Sequence, residues 1–395
     1  MNTLRPRVLI VVNADWYFWS HRLSLARALL AAHCQVAVAA APERGYQQSI
    51  EAEGLRFIPL RLQRRSVAIG QETSTFLELC RLYRRERPHV VHHVTIKPVL
   101  YGSLAAKVAR LDAVINTIPG LGYMFLGSGL QGAIRQGMVC LAYRLALCGN
   151  HTRVIFQNPD DQRLFLSRGL VSADRSVLIR GSGVDIRQFT PTPDPAGIPV
   201  VLLASRLLWD KGVGELVEAA RQLKRAGTQC RFVLVGAPDL QNPNSVSTSD
   251  LEGWRREGVV EWWGLRSDMA DVLKMANVVV LPSYREGVPR ILLEAAASGR
   301  AIIATDVPGC REVVRHGENG LLVPVRDPSA LASAIRDLLT DPVLRARMGT
   351  KGRQIVVSEF SEDRVLRETL AVYAELLGDH WPVRCGPETG AEANL

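Results

Sequence analysis

The chain has 395 residues, enough for two domains of ordinary size. Its 47% apolar, 22% charged and 6% aromatic residues fit a folded, core-burying protein and exclude a disordered or fibrous one. Seven scattered cysteines (Cys34, Cys80, Cys140, Cys148, Cys230, Cys310, Cys385) form no C-x-x-C pair, which speaks for a reducing compartment and against a disulfide framework or a zinc site. The net charge of +9 is uneven: residues 1–192 hold 24 Lys and Arg against 12 Asp and Glu, and residues 193–395 hold 24 against 27, so the first half asks for an anionic partner such as phospholipid, a diphosphate or nucleic acid.

Arg5 and Arg7 ahead of Val8–Val12 look like the start of a signal peptide, but the apolar run stops at Asn13 and Asp15, so Arg7–Asn13 reads as a first strand. No run reaches the roughly 18 apolar residues of a spanning helix. Strands and helices then alternate. Ser20–Ala32 is a helix, Gln35–Ala41 and Phe57–Leu60 are strands, Thr73–Arg85 is a helix and His89–His93 a strand. Ile96–Ala109 is helical, Ala113–Ile118 a strand, Leu130–Leu147 a long helix, and Arg153–Gln157 and Ser176–Ile179 are strands. The proline-rich run Phe189–Pro199 is a linker. A second alternation follows: strand Val200–Ser205, helix Gly214–Ala226, strands Arg231–Gly236 and Val259–Trp263, a polar and mobile loop Asn242–Ser249 between them, helix Asp327–Thr340 and a last helix from Asp363 to Leu377. Such alternation predicts α/β folding with doubly wound parallel sheets. The expected domains are 1–190, joined by the helix at about 363–378, and 198–362, with a disordered tail over 379–395.

The stretch Val278–Gly309 organises the second half. Val278–Leu281 is a buried strand, Tyr284–Gly287 a polar loop, Ile291–Ser298 a helix with Pro289 in its first turn, and Ala301–Thr305 the next strand. Glu286 lies in the loop at the sheet mouth and Glu294 about one turn into the helix. Either they are an exposed loop residue and a surface helix residue, or they flank a phosphate at the helix start and accept hydrogen bonds from sugar hydroxyls. Arg206 and Lys211, five apart after the first strand of this half, are either basic surface or a pair reaching one diphosphate. Trp262–Asp268 follows another strand.

In the first half, Asn13–Arg22 reads as a loop whose four successive aromatics, Trp16–Trp19, line an acceptor site or insert at a membrane surface. His21 is a polar contact there or a helix-start residue. The runs His92–Pro98 and Asn116–Gly122 end two further strands. Adjacent His92 and His93 point to opposite faces of a strand, so they do not form a metal site. Arg61, Arg64, Arg65, Arg81, Arg84, Arg85 and Arg87 are a solvated face or a contact for anionic membrane. No nucleic-acid-binding module is recognised, so nucleic acid is not an expected partner.

These motifs carry a resemblance. E-x₇-E with a glycine after the first Glu, ahead of LLEAAASG, resembles the donor site of family 4 retaining glycosyltransferases. The resemblance implies that Glu286 contacts the donor sugar and Glu294 the nucleotide ribose, with Gly287, Val288 and Arg290 in the same donor stretch. R-x₄-KG resembles that family's diphosphate clamp, which implies that Arg206 and Lys211 stabilise the departing nucleoside diphosphate and that no metal cofactor is needed. WWGLRSD resembles its base-holding loop, which implies Leu265 and Arg266. KP-x₃-GSLAAK and GLG resemble the branch that extends polyprenyl-diphosphate sugars, which implies an acceptor side with His93, Lys97, Gly120 and Gly122; His21, read from its place in the first loop, is an expected member of the same side. Three departures stand out: Pro289 lacks an N–H, the first loop lacks a glycine-rich run, and Pro119 stands near where a His is common. The implied fold is GT-B, two Rossmann-like domains facing across a cleft, with the last helix crossing back to the first. The implied reaction moves a hexose or N-acetylhexosamine, most simply from a UDP-sugar, to a lipid-linked or surface-glycan acceptor. The implied setting is the inner face of the cytoplasmic membrane, peripherally attached. An epimerase or hydrolase of the same fold, turning over donor alone, and a catalytically silent binding subunit stay open as alternatives.

Overall fold

The computed structural model describes residues 5–63, 68–121, 129–149, 151–239 and 242–382. Gly122, Arg64, Arg65, Cys385 and the tail from residue 383 lie outside the described residues.

Two parallel sheets form two α/β units. The first contains β1 Arg7–Val11, β2 Gln35–Ala40, β3 Arg56–Pro59, β4 Val90–Val94, β5 Ala113–Ile118, β6 Thr152–Phe156 and β7 Ser176–Leu178, in the order β3-β2-β1-β4-β5-β6-β7. The second contains β8 Val200–Ala204, β9 Arg231–Val235, β10 Glu261–Trp262, β11 Val278–Leu281, β12 Ala301–Thr305 and β13 Gly320–Val323, in the order β10-β9-β8-β11-β12-β13. Strands β4, β5, β8, β11 and β12 are buried along their whole length, because helices cover both faces of a parallel sheet. This is why β8, β11 and β12 run as unbroken apolar or β-branched stretches, while β4 and β5 admit only the buried polar residues His92, His93, Asn116 and Thr117. Helix Val213–Arg225 shows the complementary pattern: Val213, Leu216, Val217, Ala220 and Leu223 fall on one buried stripe.

Strand order reverses between β1 and β4 in the first sheet and between β8 and β11 in the second. Ligands of doubly wound sheets sit outside the carboxyl ends of the strands at such a switch point. The chain returns to its start through helix Glu362–Leu377, which places Val365, Val372, Tyr373 and Leu377 in the first core. Ser24 Oγ donates to Glu362 at 2.5 Å and ties that helix down.

Several expectations change. Asp15–His21 is a helix, not a loop. Buried Asp15 accepts the backbone N–H groups of Glu43, Arg44 and Tyr46 at 3.0–3.1 Å, which fixes where this helix begins. Its aromatics are packed: Phe18 is buried, Tyr17 and Trp19 rest on the first core, and Trp19 stacks on Tyr46 at 5.4 Å. Trp16 donates to Glu43 at 3.0 Å, with Arg44 over its ring at 5.2 Å. The run therefore holds the first unit together and is not a membrane wedge.

The segment Ile96–Ala109 is helical as expected, but it widens to a π-helix at Pro98–Gly102 before the α-helix Ser103–Ala109. The segment read as a mobile loop at Asn242–Ser249 is pinned. Trp209 donates its N–H to the Asn244 carbonyl and Asp239 its N–H to Ser245 Oγ, both at 2.9 Å, and a helix capped by Ser247 begins at Thr248. Helices Gln47–Ala52, Pro159–Ser167 and Pro342–Glu359 were not anticipated. The last buries Arg345, Gly349 and Gly352 beside Ile355 and Val356, so it carries no clean apolar stripe to read. The start of the expected tail is ordered as a 3₁₀ turn, Gly378–His380, and Trp381 packs on the first core.

Candidate active site

After β8 the chain buries Leu207 and Leu208, and this leaves Arg206 part-exposed at the sheet mouth. Trp209–Lys211 makes one 3₁₀ turn that ends at Gly212 with φ +73°. A Cβ on Gly212 would lie 2.2 Å from the Pro282 carbonyl oxygen, so only glycine lets this turn lie against the end of β11. The same approach lets Tyr284 donate its N–H to the Asp210 carbonyl at 2.9 Å. The turn thereby delivers Lys211 Nζ to Glu286 Oε1 at 2.5 Å, with both side chains about 85% buried (15% and 13% exposed). Thus Glu286 and Lys211, seventy-five positions apart, meet at the switch point of the second sheet.

Helix Arg290–Ala297 follows. Pro289 caps it from outside with ψ 121°, so the helix begins one residue later than a Pro in its first turn requires. Arg290 Nε donates to Glu294 Oε1 at 2.6 Å. Burial pushes the Glu294 carboxyl above its ordinary range, and the Arg290 guanidinium pulls against that shift. Arg206 Nη1 stands 3.4 Å from the buried carboxylate of Asp239. Leu265 is exposed on the loop after β10, where the Gly264 carbonyl accepts the Gly236 N–H at 2.8 Å, and Arg266 is ion-paired to Asp268. Val288 packs beneath, against Gly181 of the first unit.

The first unit meets this loop directly. A Cβ on Gly287 would fall 1.5 Å from the Pro119 carbonyl oxygen, and one on Gly120 would fall 3.1 Å from Gly287 Cα. Gly120 and Gly287 therefore touch backbone to backbone across the cleft, which no larger residue permits. His21 ends the first helix, its ring stacked on Tyr17 at 4.4 Å and its Nδ1 2.6 Å from Ser20 Oγ. Burial, reinforced by Arg290, Arg22 and Arg206, lowers its pKa to about 3, so the imidazole is neutral.

Two expected acceptor contacts are corrected. His93 is fully buried, bonded to Tyr83 Oη at 2.8 Å and Asn116 Oδ1 at 2.9 Å, and burial lowers its pKa to about 4. It belongs to the core because its position on β4 points it beneath the sheet edge, under helix Ile69–Glu86. Lys97 is spent within its own unit: Nζ meets Glu72 Oε1 at 2.6 Å and the Gln63 carbonyl at 2.7 Å. The residues that sequence reasoning missed are Asn158, Asp161 and Arg285, described below. The Asn-Pro-Asp-Asp run at 158–161 held a readable signal, since Asn before Pro with an Asp three on caps a helix. Among the described residues, no group of three or more His, Cys, Asp or Glu is arranged to hold a metal ion.

Comparison with known proteins fits this layout. The family described as "Glycosyl transferase 4-like" matches residues 7–158. The family described as "Glycosyl transferases group 1" matches residues 198–341. The chain belongs to the group 1, family 4-like glycosyltransferases.

This glycosyltransferase is 28% identical over 349 residues to an N,N'-diacetylbacillosaminyl-diphospho-undecaprenol alpha-1,3-N-acetylgalactosaminyltransferase of Campylobacter jejuni, covering 85% of its own length and 90% of the relative. It is 24% identical to a UDP-Gal:alpha-D-GlcNAc-diphosphoundecaprenol alpha-1,3-galactosyltransferase of Escherichia coli, over 75% of its own length and 78% of the relative. Its fold is that of a sucrose-phosphate synthase from Thermosynechococcus elongatus, with a TM-score of 0.79 at 24% identity over 95% of this chain and 100% of that one. The GT-B expectation therefore holds, including the last helix crossing back onto the first unit.

Proposed function

We propose that this glycosyltransferase moves a sugar, with retention, from a UDP-sugar to a sugar already linked to a polyprenyl diphosphate, without a metal ion. The observation that carries the reading is the placement of Lys211 beside Glu286, with Arg206 near, at the second sheet's switch point and facing the first unit. Arg206 and Lys211 take up the charge that develops on the leaving diphosphate, the role a cation would otherwise fill. Glu286 orients the sugar, Glu294 the ribose, and the backbone after β10, at Leu265 and Arg266, the base. The acceptor hydroxyl attacks from the face the diphosphate leaves. As the new glycosidic bond forms and the sugar–phosphate bond breaks, the hydroxyl proton passes to the departing phosphate oxygen. No protein base is needed, which suits a site with Pro119 at its first-unit side. Both relatives named above act on diphospho-undecaprenol-linked sugars, which supports the acceptor class.

A lipid-linked acceptor favours peripheral contact with an anionic membrane. No helix among the described residues is long and apolar enough to cross one. Helix Ile69–Glu86 exposes Arg81, Arg84 and Arg85, with Arg87 just beyond it. Helix Gly129–Leu147 exposes Met138, Leu141 and Leu145, which share one face.

The test is release of nucleoside diphosphate from a panel of nucleotide sugars, with and without polyprenyl-diphosphate sugar, in buffer containing EDTA. Release that requires acceptor and survives EDTA is the expected result. Release with donor alone points to the hydrolase or epimerase, and loss restored by Mg²⁺ or Mn²⁺ overturns the metal-free part.

A further inference from the structure

Glu286 belongs to the second unit, yet both of its sequence neighbours are held by the first. Arg285 Nη2 donates to Asp161 Oδ1 at 2.8 Å, and Asp161 is 1% exposed. The Gly287 carbonyl accepts from Asn158 Nδ2 at 3.3 Å. Asn158 and Asp161 are themselves one rigid piece at the start of helix Pro159–Ser167. The Asn158 side chain accepts the Asp161 N–H at 2.8 Å, and its Nδ2 donates to Asp161 Oδ2 at 2.9 Å. Burial raises the Asp161 pKa against the opposing pull of Asn158 and Arg285, so the carboxylate depends on these two partners to stay charged.

Other ion pairs also cross the cleft: Arg180 with Glu359 at 2.9 Å and with Glu312 at 3.5 Å, and Arg311 with Asp160 at 3.8 Å. Their arginines are 41–46% exposed, so solvent screens them and they fix little geometry. The Asp161–Arg285 bond is different. It is buried, and it is one peptide unit from the carboxylate that orients the donor sugar. A backbone shift of about 1 Å there is enough to cost about 100-fold in rate.

From this we infer that Asn158 and Asp161 are positioning residues for Glu286: the first unit sets the donor carboxylate, so the donor site is complete only when the cleft is closed. Relative motion of two units across such an interface is the ordinary expectation. With the units apart, Arg206, Lys211 and Glu294 still form a nucleotide site, but the Arg285–Gly287 loop loses its two outside anchors. Nucleotide binding and sugar orientation are thereby separated, and the second waits for closure over the acceptor. This rests on the assignment of Glu286 to the donor sugar.

The experiment is a double-mutant cycle of Asp161→Asn and Arg285→Gln in the full chain, read as kcat, donor KM and the dissociation constant of nucleoside diphosphate, with folding followed by circular dichroism. Each single variant is expected to lose about 100-fold in kcat with nucleoside diphosphate affinity unchanged, and the double variant to lose no more than either single, because one contact is broken only once. If Asp161→Asn, the buried partner, does not fold, Arg285→Gln on the loop carries the same test. Full kcat in folded Arg285→Gln, nucleotide affinity falling in step with kcat, or additive losses in the double variant each overturn the inference. Glu286→Gln separates the two readings. If it is inactive while Arg285→Gln and Asp161→Asn run at full rate, only the positioning role falls; if it is fully active, the donor-contact role of Glu286 and this inference fall together.

Discussion

At the mouth of the second sheet the candidate site cations each stand against a carboxylate: Lys211 with Glu286, Arg290 with Glu294, Arg206 with Asp239. On the first unit's side the candidate site residue is a histidine kept neutral by burial, His21, with its pKa lowered to about 3. The two edges share a strand order and a switch point but hold opposite kinds of polarity. Ion pairs that are part-exposed can exchange a carboxylate for a phosphate, so they suit a diphosphate that arrives and leaves with its charge. Neutral imidazole adds no repulsion to nearby cations, so it suits a side that meets hydroxyls. The comparison also explains why the basic excess of the first half does not mark its site. Its exposed arginines lie on helix surfaces such as Arg81, Arg84 and Arg85, away from the sheet mouth.

The sharpest way to break this contrast is to remove charge from the second edge. Lys211→Ala and Arg206→Ala should each lower kcat by about 100-fold or more, the usual cost of one preorganised stabiliser. Steady-state rates with saturating donor check it, and unchanged turnover in both variants removes the diphosphate role from this edge.

Next in size is an effect on folding that belongs to the first unit. His93 titrates near pH 6.5 in the unfolded chain and is pushed down to about 4 by burial in the folded one. Between those values the unfolded chain binds a proton that the folded chain refuses, so stability falls as pH falls from about 6.5 to about 4. The slope is about 1.4 kcal/mol per pH unit for one such group. Urea unfolding at several pH values should show a shallower acid loss in His93→Gln than in the parent. Equal slopes would falsify the buried neutral imidazole.

The smallest effect sharpens the role of His21. Losing one neutral hydrogen-bonding group should cost about tenfold or less in kcat/KM in His21→Gln. Because His21 is neutral well above its pKa of about 3, the pH profile between 5.5 and 8 should keep its shape in that variant. A lost acid limb would make His21 a titrating group and erase the difference between the two edges.

The alternation of apolar strands and striped helices, the linker near Phe189–Pro199 and the E-x₇-E and R-x₄-KG spacings are local patterns, so the amino-acid sequence alone determined the two-sheet fold and marked Glu286, Glu294, Arg206 and Lys211 as the candidate donor residues. A side chain's partner at long separation leaves no local pattern. Only the tertiary structure decided that Lys97 is spent on Glu72, that His93 lies in the core and that Trp16–Trp19 packs instead of protruding, because each depends on which element lies across from it. It also decided that Glu286 is flanked by residues anchored to the other unit, through Asp161 and Asn158 more than a hundred positions earlier in the chain. The spacing within one strand–loop–helix unit is set by backbone geometry, which sequence encodes directly. The meeting of two such units is set by how their surfaces fit, which emerges only once both have folded.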